Sequence, residues 1–292
     1  MGKLVVLKLG QGNWDNGFPV ILQMGEEGSQ PNIEIMGKLP PAPDLPLAYL
    51  AWQTSYLQLG KTTRLEPKTI IISNVSLTHH CLEASRTLLR YFNHWLNADN
   101  FRVIREKMLE QISPSEPVRL ILQTEDLLIQ RLPWHLWDWF DHYPHAEIAL
   151  SSPAYEQIGQ PTIARRQVRI LAILGNSTGI NTEADLHLLK QLPDADIQFL
   201  IEPERQQLTE QLWDAQGWDI LFFAGHSSGY ATQCPPHHET SDVVDEAKNR
   251  IYLNQTDSLT LKEMKYALKK AVEKGLKIAI FNSCDGLGLA QE

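Results

Sequence analysis

From Val168 to Phe281 the chain alternates short apolar runs with amphipathic segments, and few architectures can accommodate that rhythm. Val168 to Leu174, Asp196 to Ile201, Asp219 to Ala224 and Lys277 to Phe281 each read as one strand. Glu183 to Gln191, Glu204 to Ala215 and Thr260 to Lys274 read as intervening helices, the last starting at Ser258 or Thr260. A short strand is expected at Arg250 to Leu253. Strands that are apolar on both faces and separated by helices predict an α/β fold, a mostly parallel sheet with helices on both sides.

Open α/β sheets gather their reactive groups at the carboxyl ends of the strands. Two predicted strands end in such groups: Phe222-Phe223-Ala224-Gly225-His226 and Ile280-Phe281-Asn282-Ser283-Cys284. A thiol attacks as thiolate, and a free cysteine with a pKa of about 8.5 is mostly protonated at neutral pH, so it needs a base or a cation beside it. His226 is placed to be that base if the two strand ends are neighbours. The stretch between them holds a loop, a short strand and a crossover helix, which permits this. Gly286 and Gly288 allow a sharp turn after the thiol, and the Cys284 N–H is positioned to stabilise an oxyanion. Taken singly, each residue reads equally well as buried packing or a satisfied strand-end histidine. The pairing favours a catalytic His226/Cys284 dyad.

Other motifs compete for the same residues. Gly225-His226-Ser227-Ser228-Gly229 fits G-x-S-x-G, the nucleophile elbow of a serine α/β-hydrolase with Ser227 attacking. That elbow needs a helix directly after the serine, which Tyr230-Ala231-Thr232-Gln233-Cys234-Pro235-Pro236 does not begin, and the later histidines are His237 and His238 alone. The hydrolase is therefore a minor alternative. Cys234-Pro235-Pro236-His237-His238 and His79-His80-Cys81 each lack a second ligand pair at zinc spacing, so neither a metal nor another cofactor is expected.

The N-terminal part reads differently. Lys3 to Leu9 and Phe18 to Met24, joined by the turn-rich Gly10 to Gly17, predict a hairpin. Leu47, Leu50, Ala51, Tyr56 and Leu57 predict a helix of about three turns after the stiff Pro40-Pro41-Ala42-Pro43. A longer helix from Thr78 through Trp95 and another from Phe101 to Ile112 follow. Ser113-Pro114-Ser115-Glu116-Pro117 stops the latter, which places a boundary near 115 between an α+β accessory region (1–115) and the domain of 116–292. Val118 to Leu122 opens that domain as a strand, and Trp134, Trp137, Trp139 and Phe140 read as packing on a core-covering helix.

Composition narrows the partners. With 43% hydrophobic and 21% charged residues, the 292-residue chain is that of an ordinary globular protein. A net charge of −9 without a basic stripe argues against nucleic acid, and no apolar run approaches the roughly 18 residues of a membrane span. The N-terminus has no cleavable signal shape, and Val6 argues against myristoylation of Gly2, so a cytoplasmic protein is expected. Three widely spaced cysteines, Cys81, Cys234 and Cys284, are read as free thiols.

Phe223-Ala224-Gly225-His226 and Ile280-Phe281-Asn282-Ser283-Cys284-Asp285-Gly286-Leu287-Gly288 resemble the His and Cys motifs of CHAT domains. Leu132-Pro133-Trp134 with Leu136 also resembles an element found early in those domains. They are caspase-like cysteine peptidases related to separase and gingipains, common in bacteria and especially cyanobacteria. The resemblance covers about 116–292 and implies a cysteine endopeptidase in a signalling protein, acting on a protein or peptide substrate through an acyl-enzyme on Cys284. The oxyanion would be held by the backbone N–H groups of Ser227 and Cys284, although relatives usually carry Gly where Ser227 stands. Such enzymes often cut after a basic residue held by an acid, for which Glu183 or Asp185 is placed. Caspase-like folds continue beyond the cysteine with strands that complete the pocket, whereas this sequence ends at Glu292, so a C-terminally incomplete domain and further partner segments are expected. A non-catalytic CHAT interaction module is the alternative expectation.

Overall fold

The computed structural model describes residues 2–62, 71–152, 166–178, 180–228 and 250–283. The chain is α/β and divides into two compact units, Met1–Glu156 and Gln157–Glu292.

The first unit is built on a mixed sheet. β1 (Lys3–Leu9) and β2 (Phe18–Glu26) form the expected antiparallel hairpin, and β3 (Ile33–Leu39) extends it. Helices α1 (Asp44–Thr62), α2 (Ile71–Leu96) and α3 (Arg102–Gln111) follow, then β4 (Val118–Gln123), the short α4 (Leu127–Arg131) and β5 (Ala146–Ser151). The strand order is β3-β2-β1-β4-β5, with β1, β4 and β5 mutually parallel. Alternate residues Phe18, Val20, Leu22 and Met24 of β2 are buried, as the period of two in a strand requires, and they share one core with Leu88, Phe92, Trp95 and Leu96 of α2 and with Ile104 and Met108 of α3.

The division near 156 differs from the boundary expected near 115. Pro114 and Pro117 do end a helix, but β4 beyond them supplies the hydrogen-bonding partner that one edge of β1 would otherwise lack, beginning with Lys3 N–H to the Pro117 carbonyl at 2.8 Å. The segment after 115 thus completes the first sheet instead of opening the second unit. The tryptophan cluster is packing, as expected, though it lies on two 3₁₀ turns, Trp134–Leu136 and Asp138–His142, and not on one helix. Trp134 Nε1 donates to the Ile129 carbonyl at 2.6 Å, and the Trp139 and Tyr143 rings stack at 4.3 Å.

The second unit carries the predicted rhythm: β6 (Val168–Leu174), α5 (Thr182–Lys190), β7 (Ala195–Ile201), α6 (Arg205–Leu212) and β8 (Ile220–Ala224). A small antiparallel sheet follows, from β9 (Ser227–Ser228), β10 (Arg250–Tyr252) and β11 (Ser258–Thr260). Helix α7 (Leu261–Glu273) and strand β12 (Ile278–Asn282) complete the described part. The main sheet is wholly parallel in the order β12-β8-β6-β7.

One sheet face, with Leu171, Ile173, Leu221 and Phe223, packs on Leu208 and Leu212 of α6 and on Met264, Ala267 and Ala271 of α7. Helix α5 serves the other face, where Lys190 Nζ lies 5.8 Å from the Phe199 ring centre. Helix α7 begins where the sequence signals it, with the Thr260 side chain accepting from Glu263 N–H and the Glu263 side chain returning to Thr260 N–H. At the amino ends of the strands, Arg169 stacks over Trp218 at 4.2 Å and pairs with Asp214 at 3.0 Å. The buried Asp219 accepts from Arg169 N–H and from Lys277 Nζ.

Candidate functional site

The carboxyl ends of β8 and β12 lie side by side. The two strands pair residue for residue from Ile220↔Ile278 to Ala224↔Asn282, and Gly225 N–H reaches the Asn282 carbonyl at 3.4 Å. His226 stands two residues beyond Ala224, and Cys284 stands two residues beyond Asn282. Cys284 itself lies outside the described residues, as do Cys234, His237 and His238. The juxtaposition of the two strand ends is a property of the sheet, since the parallel ladder has no register offset and closes at Ala224 and Asn282.

His226 is half-buried, and its Nε2 lies 2.8 Å from the Thr178 carbonyl oxygen. A carbonyl oxygen only accepts, so Nε2 carries the hydrogen and the neutral ring keeps its lone pair on Nδ1. That nitrogen is the one available to take a proton. The His226 backbone is pinned as well, since its carbonyl accepts from Tyr252 N–H at 3.0 Å.

Three contacts build the loop that carries Thr178. Gly175 N–H donates to the Ala224 carbonyl at 2.8 Å, Asn176 N–H to the Tyr252 carbonyl at 2.9 Å, and Thr178 N–H to Asn176 Oδ1 at 3.0 Å. Glycine is required at 175, because a Cβ there would stand 2.3 Å from the Tyr252 carbonyl oxygen. Ser177 is held from the side by Glu202, whose Oε1 accepts from Ser177 N–H at 3.3 Å and Ser177 Oγ at 3.1 Å.

A cleft of about 300 Å³ opens beside these strand ends, lined by Ile180, Asn181, Thr182, Asp185, Asn282 and Ser283 among others. Asn181 caps α5 by accepting from Ala184 N–H at 3.2 Å. Asp185, one turn in, accepts from Asn282 Nδ2 at 3.0 Å. Of the two acids named from sequence, Asp185 lines the cleft, and Glu183 sits exposed on the first turn of α5. Ser283 Oγ is buried and has no hydrogen-bond partner among the described residues.

Ser227 begins β9 and pairs with Ile251 in an antiparallel ladder. An elbow serine sits on a sharp turn from strand into helix, whereas Ser227 and Ser228 are extended, so the serine-hydrolase alternative has no elbow to use. Cys81 is a buried free thiol on α2. Among the described residues no group of three His, Cys, Asp or Glu side chains could hold a metal ion, and no helix is long and apolar enough to cross a membrane.

Sequence reasoning missed Thr178, Glu202 and Asn282. The Thr178 contact uses a main-chain carbonyl that any residue supplies, so no residue type announces it. Glu202 and Asn282 are ordinary polar residues whose partners lie 25 and 97 positions away in the chain. No protein-family model matches the sequence, and no curated protein matches it.

Proposed function

We propose that the second unit carries a caspase-like cysteine peptidase site of the kind that CHAT domains contain, with Cys284 as nucleophile and His226 as base. The observation that carries this reading is the register of β8 and β12, which levels the strand ends from which His226 and Cys284 follow by equal steps. The hydrogen bond from His226 Nε2 to the Thr178 carbonyl supports it by leaving Nδ1 as the basic nitrogen.

In this mechanism the Cys284 thiol gives its proton to His226 Nδ1, and the thiolate adds to the scissile carbonyl carbon. The backbone N–H groups of Ser227 and Cys284 hold the oxyanion. The C–N bond then breaks, the leaving amine takes the proton from the imidazolium, and a thioester remains on Cys284. His226 next accepts a proton from water, which attacks the thioester and releases the acid and the thiol. Asp185 supplies negative charge in the adjacent cleft, suited to a lysine or arginine side chain of the substrate.

The test is labelling of Cys284 by a peptidyl electrophile, followed by peptide mapping. Labelling that falls by about 10²-fold in His226→Ala, within the range of general-base catalysis, supports the dyad. Equal labelling of the two proteins would sink the dyad and leave the non-catalytic interaction module as the reading.

A further inference from the structure

We infer that Glu202 is the positioning residue for the His226 imidazole, acting through Ser177 and Thr178; its effect on the thiol rests on the dyad proposed above. β7 ends at Ile201, and Glu202 follows with φ of 43°, in the left-handed region that a residue with a Cβ seldom occupies. Its N–H donates to the Leu174 carbonyl at 2.7 Å, which keeps the turn against the last residue of β6. Glycine or asparagine would fit this backbone at lower cost, so a glutamate here points to a task for the side chain.

The contacts identify that task. Both donors of Ser177, its N–H and its hydroxyl, end on Glu202 Oε1. Ser177 directly precedes Thr178, whose carbonyl receives His226 Nε2–H. The upstream residues are tied to β8 and β10 through Gly175 and Asn176, Thr178 N–H is held by Asn176 Oδ1 and the Ser177 carbonyl accepts from Ile180 N–H at 3.0 Å, but none of these bonds joins the loop to the β7 side. Glu202 supplies that lateral hold. With it, the Thr178 carbonyl has one position, the imidazole has one tautomer and Nδ1 has one direction. Without it, the Ser177 N–H and hydroxyl turn to water, the loop loses its tie to the β7 side, and the ring divides between tautomers, since each neutral form then finds a solvent partner.

The test uses the full 292-residue chain and the variants Glu202→Gln, which retains an accepting oxygen, and Glu202→Gly, which relieves the backbone while deleting the acceptor. The first readout is the long-range ¹⁵N–¹H spectrum of the His226 ring, assigned by its loss in His226→Gln. The second is the rate of Cys284 alkylation by a peptidyl electrophile, with Tm recorded for each protein. The expected result is a single Nε2–H tautomer in the parent and in Glu202→Gln. Glu202→Gly should show mixed tautomers and an alkylation rate about threefold to tenfold lower, at an equal or higher Tm. An unchanged ring spectrum in Glu202→Gly, a Gln variant that behaves like Gly, or a parent ring already divided between tautomers would overturn the inference.

The two ideas fail separately. A tautomer shift in Glu202→Gly, combined with alkylation indifferent to His226→Ala, keeps the positioning role and removes the dyad. Alkylation that needs His226 but is identical in Glu202→Gly, with an unchanged spectrum, removes the positioning role and keeps the dyad.

Discussion

The Asn282 side-chain amide donates to the Asp185 carboxylate at 3.0 Å, tying the first turns of α5 to the last residue of β12. One oxygen of Asp185 is thereby committed to the scaffold, and the charge remains at the wall of the cleft. Asp185→Asn keeps an acceptor for Asn282 and removes the charge, whereas Asp185→Ala removes both. Asp185→Asn is expected to label at near-parental rate with a neutral electrophile while losing about tenfold of any preference for an arginyl or lysyl one, roughly the value of a partly solvated charge pair. Asp185→Ala should slow both probes. Equal preference in the parent and Asp185→Asn would remove Asp185 from substrate recognition.

Thr178 contributes its main chain, so its side chain should be dispensable. Thr178→Ala is expected to alter Cys284 alkylation by less than about twofold, because an alanine carbonyl accepts from His226 as well as a threonine carbonyl does. A loss comparable to that of His226→Ala would mean that the hydroxyl, not the carbonyl, serves the ring.

The indole N–H groups of Trp137 and Trp139 are buried without a hydrogen-bond partner among the described residues. An unsatisfied buried donor costs about 1–3 kcal/mol, comparable with the apolar surface lost when the smaller phenylalanine ring replaces an indole. Trp139→Phe should therefore change stability by less than about 1 kcal/mol in denaturant unfolding, while Trp134→Phe, which breaks the bond to Ile129, should cost more. The reverse order would contradict the hydrogen-bond assignment.

Glu263 sets an acid limit for α7. Burial pushes its carboxyl up, but the hydrogen bonds from Thr260 and the charges of Arg205 and Arg250 outweigh this and hold it below the usual range. The folded state then binds fewer protons than the unfolded chain, so the stabilisation is complete above the unfolded value of about 4.3 and lost as pH falls through the folded value. Glu263→Gln, which can still form the capping box, should flatten the loss of stability as pH falls below the unfolded value of about 4.3. The difference at pH 7 is expected to stay under about 1 kcal/mol, since the Glu263 side chain is 40% exposed and screened. An acid limb of equal slope in both proteins would assign the effect elsewhere, first to Asp214. Burial raises that carboxyl too, but the hydrogen bond from Arg169 brings it lower overall.

Much of the second unit was legible because its signals are local. Apolar runs mark β6, β8 and β12, Thr260 with Glu263 marks the start of α7, and Gly225-His226 marks a strand end, each within a few residues. β3 and β5 went unread. Their burial is partial and alternating, Ile33 to Leu39 keeping only Leu39 fully buried, so they carry no apolar run to announce them. The boundary near 115 was misplaced for a related reason, since Pro114 and Pro117 are visible in the sequence and the partner β4 finds in β1 is not.

The proposal of His226 with Cys284 starts from the sequence, because a thiol and an imidazole declare their chemistry by type. The order β12-β8-β6-β7, the level strand ends and the chain of contacts from Glu202 through Ser177 and Thr178 to His226 came from the folded state. They depend on backbone carbonyls and on pairs far apart in the chain, and a main-chain oxygen has no identity in a sequence until another segment is brought against it.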